Sequence, residues 1–306
     1  MTETLCAALI TAALGAALLQ GGRHILLLTT RLSNRTLAWE RGQNALSLLE
    51  PRVTHAGLGL PGGSTQELRQ AFGAGQSSAP PPAFWSQGPV QVWEGYPTLW
   101  NPVPEKENVR RGRGLVLLYA VPSRLQAKLR EGRPLAMEAG VSCSLELFPA
   151  EAMTGAADGL RPGTRDDLWS WVVFPFMKLP LYLSGRFGNT VVLQAAVSAK
   201  APLLPWDEMH FLRGERFQVR HSTLYGETLR RRWEAGQPLL DGILEMWFEW
   251  TPSKRLLEAW VLSTGGSAAF GTASRPPEWP PEAPWREDFE GHDTVVSRAS
   301  WVVRNL

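Results

Sequence analysis

The chain has 306 residues, 44% of them hydrophobic and 20% charged, with a formal net charge of +2. That length admits one large domain or two small ones. The near balance of charge excludes a uniformly basic surface, and with it an electrostatic case for a nucleic-acid partner.

Thr4 to Leu19 reads TLCAALITAALGAALL, a run without a charged residue. Gln20-Gly21-Gly22-Arg23-His24 interrupts it, and Ile25-Leu26-Leu27-Leu28 restores the apolar character. A bilayer span takes about 20 apolar residues, so the first run alone is slightly short. It also lacks a basic n-region and a small-residue cleavage site, which weakens an ordinary secretory-signal reading. From Leu28 the pattern becomes amphipathic without losing helical phase. Leu28, Leu32, Trp39, Leu46, Leu49, Val53 and Ala56 recur at helical spacings, with Arg31, Arg35, Glu40, Arg41 and Glu50 between them. The spacing predicts one helix, apolar all round over residues 1–28 and striped over 29–57. Leu32, Trp39, Leu46, Leu49 and Val53 are the expected packing face toward a globular domain. Pro51 removes a helical hydrogen bond and is expected to bend the last turns, not to stop them. Gly57 is the expected terminator.

Residues 59–89 form a long connection rich in Gly, Ser and Pro. Within it Thr65 to Phe72 reads as a short helix capped by Ser64. Strand-like runs follow at 90–93, 115–121, 141–148, 168–174, 190–197, 216–222, 244–250, 256–263 and 294–303. Ser123 to Arg130 reads as a short helix. Strands in series after one helix predict an α+β fold with an antiparallel sheet and a β-rich head over residues 58–306.

The chain holds 14 Trp and 24 Pro but only 4 Tyr. Pairs such as Trp169 with Trp171 and Trp247 with Trp250 suit pleated surfaces, where cross-strand packing is the ordinary use of indole; carbohydrate binding is the other. Gly265 to Asp288 is a Pro- and Trp-rich loop. It reads as a surface loop pinned by its own Trp, with recognition of a partner through polyproline geometry as the alternative. The basic runs Arg110-Arg111-Gly112-Arg113 and Arg230-Arg231-Arg232 read as solvated charge. Cys6, in the apolar run, and Cys143, in a strand, are poorly placed to pair.

No pattern points to catalysis, a metal or a cofactor. There is no phosphate-binding loop and no Gly-x-Ser-x-Gly turn. His24, His55, His210, His221 and His292 are isolated, and no two lie four apart as on a metal-binding helix. Asp166-Asp167 reads as a turn. Paired carboxylates of the glycosidase kind leave no sequence signature.

Three stretches resemble a known family. Gly42-Gln43-Asn44-Ala45-Leu46-Ser47-Leu48-Leu49, running on to His55-Ala56-Gly57, is similar to the helix end of PilW-like minor pilins of type IV pili. Gln237-Pro238-Leu239-Leu240-Asp241-Gly242 leading into Ile243 to Phe248 resembles the same family and the minor pseudopilins of type II secretion. Val302-Val303-Arg304-Asn305-Leu306 is similar to the PilW terminus. The resemblance implies a pilin-like α+β fold, with a long helix packed on an antiparallel sheet, and a non-enzymatic subunit that assembles through that helix. Glu3 would take the place of the family's N-terminal glutamate, which neutralises a neighbouring subunit's amino group; a second register puts Ala7 there. Leu5, Leu9, Leu14, Gly15, Leu18, Gly21 and Gly22 would line the assembly surface, the glycines either unwinding the helix or packing it closely. The chain departs from the family at Met1-Thr2, where a basic leader and a Gly are expected. Either a leader precedes Met1 or the subunit is unprocessed. The implied partners are other minor pilins, the major pilin, the inner-membrane assembly platform, prepilin peptidase and a tip adhesin. The implied location is the inner membrane, then the pilus. The alternatives are a type II secretion pseudopilin and a membrane-anchored, Trp-rich β-domain that binds carbohydrate.

Overall fold

A computed structural model describes residues 2–62, 65–73, 88–93, 110–129, 132–149, 160, 162–165, 167–230, 233–268 and 274–305. The fold is α+β: a 53-residue helix, α1 (Thr2–Thr54), followed by a domain rich in antiparallel strands. Ala, Leu and other good helix formers dominate α1, and the helix runs through Pro51 rather than stopping there. It gives way to a turn after Thr54. Gly57, at φ +74°, donates its N–H to Leu118 O at 3.0 Å and carries the chain onto the sheet. The short helix α2 (Thr65–Ala71) lies where the sequence places it; its Ser64 cap falls outside the described residues.

Among the described residues, thirteen strands make two sheets. The smaller comprises β2 (Arg110–Gly112), β11 (Ile243–Thr251), β12 (Leu256–Ser267) and β13 (His292–Val302), in the order β13-β12-β11-β2. The larger is built on two long strands, β3 (Gly114–Lys128) and β8 (Glu208–Arg220), paired antiparallel from Leu115↔Phe217 to Gln126↔Glu208. At one end this pair is flanked by β1 (Val90–Trp93) on the β3 side, and by β9 (Thr223–Leu229) and β10 (Gln237–Asp241) on the β8 side.

At the other end the same two strands join β4 (Ser142–Phe148), β5 (Trp171–Val173), β6 (Pro180–Phe187) and β7 (Thr190–Ala195). The pairings run β3-β4-β7-β6-β5-β8 and return to β3. Every pairing is antiparallel, so this end is a closed six-stranded barrel without free edges. Leu125, Leu145, Leu147, Phe174, Leu181, Leu183, Val191, Leu193 and Met209 belong to its buried core.

The remaining core is layered. Alternate residues of β3 face opposite ways: Leu115, Leu117 and Tyr119 join the cluster shared with α1, β11 and β12, while Val116, Leu118 and Ala120 join a second cluster with α2, Trp171 and Leu212. Burial on both faces explains the unbroken apolar run over 115–120. A further cluster of Trp247, Trp260, Leu262, Trp279 and Phe289 covers the far face of the smaller sheet. There the Pro-rich loop is pinned by its own Trp279, whose indole N–H donates to Pro284 O at 3.1 Å.

The short helix expected over Ser123–Arg130 is not formed; residues to Lys128 are strand. Pro122 cannot donate to the ladder, and Arg124 adopts φ +63° at a register shift between Pro122 and Leu125. That bulge re-aims β3 from the layered region into the barrel.

Candidate functional site: a projecting helix on a clamped stem

The N-terminal part of α1 makes no use of the head. Leu9, Ile10, Leu14, Leu18, Leu19, Ile25 and Leu26 are all exposed, and nothing comes within 4 Å of a Cβ built at Gly15, Gly21 or Gly22. By length and composition this helix is apolar enough to cross a membrane. The side chains of Glu3 and Leu5 fall outside the described residues.

From Arg31 onward one face of α1 is clamped to β12 and β13. Arg31 Nε lies 3.7 Å from Asp293 Oδ1, and the Asn34 amide donates to Asp293 Oδ2 at 3.2 Å and to Ser267 O at 3.1 Å. Ser263 Oγ donates to Ala38 O at 2.7 Å, and Arg41 Nη1 donates to Thr264 O at 2.6 Å. Ala38, Ala45, Leu49 and Val53 are completely buried, and Leu46 nearly so. A Cβ at Gly42 would fall 2.3 Å from Ser297 Oγ, so the helix and the sheet touch there through missing side chains.

Of the five expected packing residues, Leu46, Leu49 and Val53 are on this face. Leu32 and Trp39 are not: they are 67% and 54% exposed. The face that docks is Asn34-Ala38-Gly42-Ala45-Leu49-Val53, about a quarter turn round the helix from the Leu28-Leu32-Trp39 stripe. Small side chains let the helix approach the sheet closely, whereas Leu32 and Trp39 would hold it off. The signal for this face was the stripe of small residues, not the largest apolar ones.

Two polar ties complete the clamp at the helix end. Arg52 Nε lies 2.5 Å from Glu215 Oε2, and the same oxygen accepts from the Tyr119 hydroxyl at 2.9 Å. Burial first, then the Glu215 charge, push the Tyr119 phenol well above its usual range, so it remains a donor. Asn305 Nδ2 donates to Thr54 O at 2.8 Å, so the C-terminal Arg304-Asn305 segment satisfies a carbonyl of the last helical turn. The C-terminus of the chain and the end of α1 therefore meet at one place.

The head holds a cleft of about 410 Å³ between α2 and the barrel, lined in part by Phe176, Lys178, Lys200, Glu67 and Gln70, with Lys200 Nζ 3.4 Å from Glu67 Oε1. The guanidinium groups of Arg213 and Arg230 both lie over Trp169, at 4.5 and 4.9 Å from its ring centre. Burial lowers the Arg213 guanidinium to about 10. His210 is buried beside Glu208, Nε2 to Oε2 3.8 Å, while His221 forms the β8–β9 turn with Ser222, so the two are not a site. Among the described residues no group of three or more His, Cys, Asp or Glu could hold a metal ion. Cys6 and Cys143 are both free thiols.

No family model matches the chain, and neither does any curated protein or solved structure.

Proposed function

We propose that this chain is a non-enzymatic, membrane-anchored assembly subunit, a minor pilin of the PilW kind. One observation supports the reading above the others: a single helix is apolar and unpartnered over its first half and clamped into a β-rich head over its second. A flexible tether would suffice to anchor an independent domain. A helix fixed through Asn34, Gly42, Leu49 and Arg52 instead transmits any packing of its free half directly to the orientation of the head.

In this reading the apolar half stores the subunit in the inner membrane, where burying Leu9, Leu14 and Leu18 in lipid satisfies the hydrophobic effect at about 25 cal/mol per Å². On assembly those residues, with Leu5, Gly15, Gly21 and Gly22, exchange lipid for the helices of neighbouring pilins, and Glu3 meets a neighbour's terminal amino group. An unpaired carboxylate in that setting is costly, which makes the pairing directional. The partners are other minor pilins, the major pilin, the assembly platform, prepilin peptidase and a tip adhesin. A minor pseudopilin of type II secretion would use the same helix and head with different partners.

The test is the mass of the N-terminal peptide of the native protein, taken separately from sheared surface filaments and from inner membrane. A processed, N-methylated terminus in the filament fraction supports the pilin reading, and Glu3→Ala should then deplete that fraction. A terminus that begins within the head would mean that the helix is a removed signal sequence, and an intact terminus found only in membrane would mean a static anchor. Either result overturns incorporation into a filament.

A further inference from the structure

The barrel carries an aromatic pair that the assembly reading does not use. Phe148, at the end of β4, and Trp206, just before β8, are 49% and 54% exposed, with ring centres 5.9 Å apart and planes at 84°. Edge-to-face packing occupies at most one face of one ring, so the two leave open aromatic surface on an otherwise closed barrel.

Trp206 is held there against its own preference. Its φ is +65°, a left-handed conformation that is an outlier for a bulky residue. Neighbouring backbone imposes it: Trp206 N–H donates to Ala127 O at 2.8 Å, and Ala127 N–H donates to Asp207 O at 2.9 Å. Glycine would occupy the position without strain, so an indole kept there, exposed, suggests use at the surface. A second left-handed residue, Arg124, adjoins the same patch, its N–H donating to Glu208 Oε1 at 2.9 Å.

The surroundings say what the rings would meet. Phe148, Gln126 and Glu208 form one row across β4, β3 and β8 through the registers Gln126↔Phe148 and Gln126↔Glu208. The next row holds Lys128 and Glu146, whose charged ends are 3.1 Å apart and half exposed. Around the rings, Lys128 is paired with Glu146, Glu208 accepts from the Arg124 backbone, and Asp207 follows Trp206 directly in the chain. The rim offers donors and acceptors at short range and no surplus of cations, which disfavours an anionic ligand such as a phosphate.

From the exposed Trp206–Phe148 pair, its strained backbone and its mixed amide, carboxylate and ammonium rim, we infer that this face of the barrel binds a neutral hexopyranose chain. The weakly positive axial C–H groups of a pyranose suit the negative face of an aromatic ring, and its hydroxyls need both donors and acceptors around that ring. A purely apolar partner would leave the rim groups desolvated and unpaired. The inference does not rest on the assembly reading, since it concerns the barrel alone.

The experiment is isothermal titration of maltohexaose, cellohexaose and chitohexaose into the full chain, held in a detergent without a sugar headgroup. At least one hexaose should bind, and Trp206→Ala should weaken it about tenfold, the scale of one aromatic contact. Trp206→Tyr should keep most of the affinity. Trp206→Gly should lose binding like the alanine variant while melting at the same or a higher temperature, because glycine relieves the left-handed strain. No binding by any of the three at about 10 mM, or equal binding by wild type and Trp206→Ala, overturns the proposal. So does a fall in melting temperature for Trp206→Gly, which would show that the indole is held for packing.

Discussion

Gly265 of β12 lies against the Asn34 carbonyl of α1: a Cβ built on the glycine would fall 1.9 Å from that oxygen. The obstacle is helix backbone, which cannot rotate aside as a side chain would. The crossing of helix over sheet is therefore set by the absence of one methyl group, and the hydrogen bonds of Asn34, Arg41 and Ser263 are arrayed around it.

Gly265→Ala should accordingly act as overpacking, costing about 1–3 kcal/mol. For a head of this size that corresponds to a fall of several degrees in melting temperature. Protection of the Ala38–Leu49 amides from hydrogen exchange should fall with it. Gly15→Ala is the control. It meets nothing within 4 Å and should leave the head's melting temperature unchanged, while raising intrinsic helix propensity by up to about 1 kcal/mol. Equal effects from both substitutions would contradict the clamp.

The same crossing shows which parts of the fold were legible in the sequence. Helix period and strand alternation are local properties, so the long helix, its end near Gly57, α2 and most strands could be read directly. The docking face could not. Hydrophobic periodicity ranks Leu32 and Trp39 above Ala38 and Gly42, yet closeness of approach favours the small residues, and that depends on β12 lying across the helix. The barrel was hidden for a related reason. Its closure depends on β3 and β8 pairing with different partners at their two ends, and on a bulge at Arg124 that reads locally as the start of a helix. Of the Trp206 patch, only the residue types were visible; the left-handed backbone that displays the indole is a product of tertiary pairing with Ala127.

His210 should make stability depend on pH. It is buried in β8, between β3 and β5, and burial holds its imidazole below the ordinary value of 6.5; the His55 charge adds to this and Glu208 opposes it. An unfolded chain therefore takes up the proton before the folded one as pH falls. The stability contribution is complete above about pH 6.5 and is lost as pH drops through the window below it. Thermal melts from pH 7.5 down to pH 5 should show this decline, and His210→Phe should flatten it. A Phe variant with the same slope as wild type would assign the decline to other groups.

Leu49 and the Leu32–Trp39 pair separate folding from assembly. Leu49 is fully buried between the helix and both sheets, so Leu49→Ala removes methyl groups from a filled core and should cost about 2–5 kcal/mol. Leu32 and Trp39 are the largest apolar side chains on the exposed flank of the clamped helix. Leu32→Ala and Trp39→Ala should each leave the stability of the isolated protein within about 0.5 kcal/mol of wild type. If α1 works only as a lipid anchor, these variants should also partition between membrane and filament as wild type does. If the helix packs among its neighbours in an assembly, they should lower the sheared-filament fraction while the membrane pool persists, because the flank they remove points away from the subunit's own head. A stability loss comparable to that of Leu49→Ala would instead mean that the flank closes onto the head, and would remove the geometric reason for placing a neighbouring subunit there.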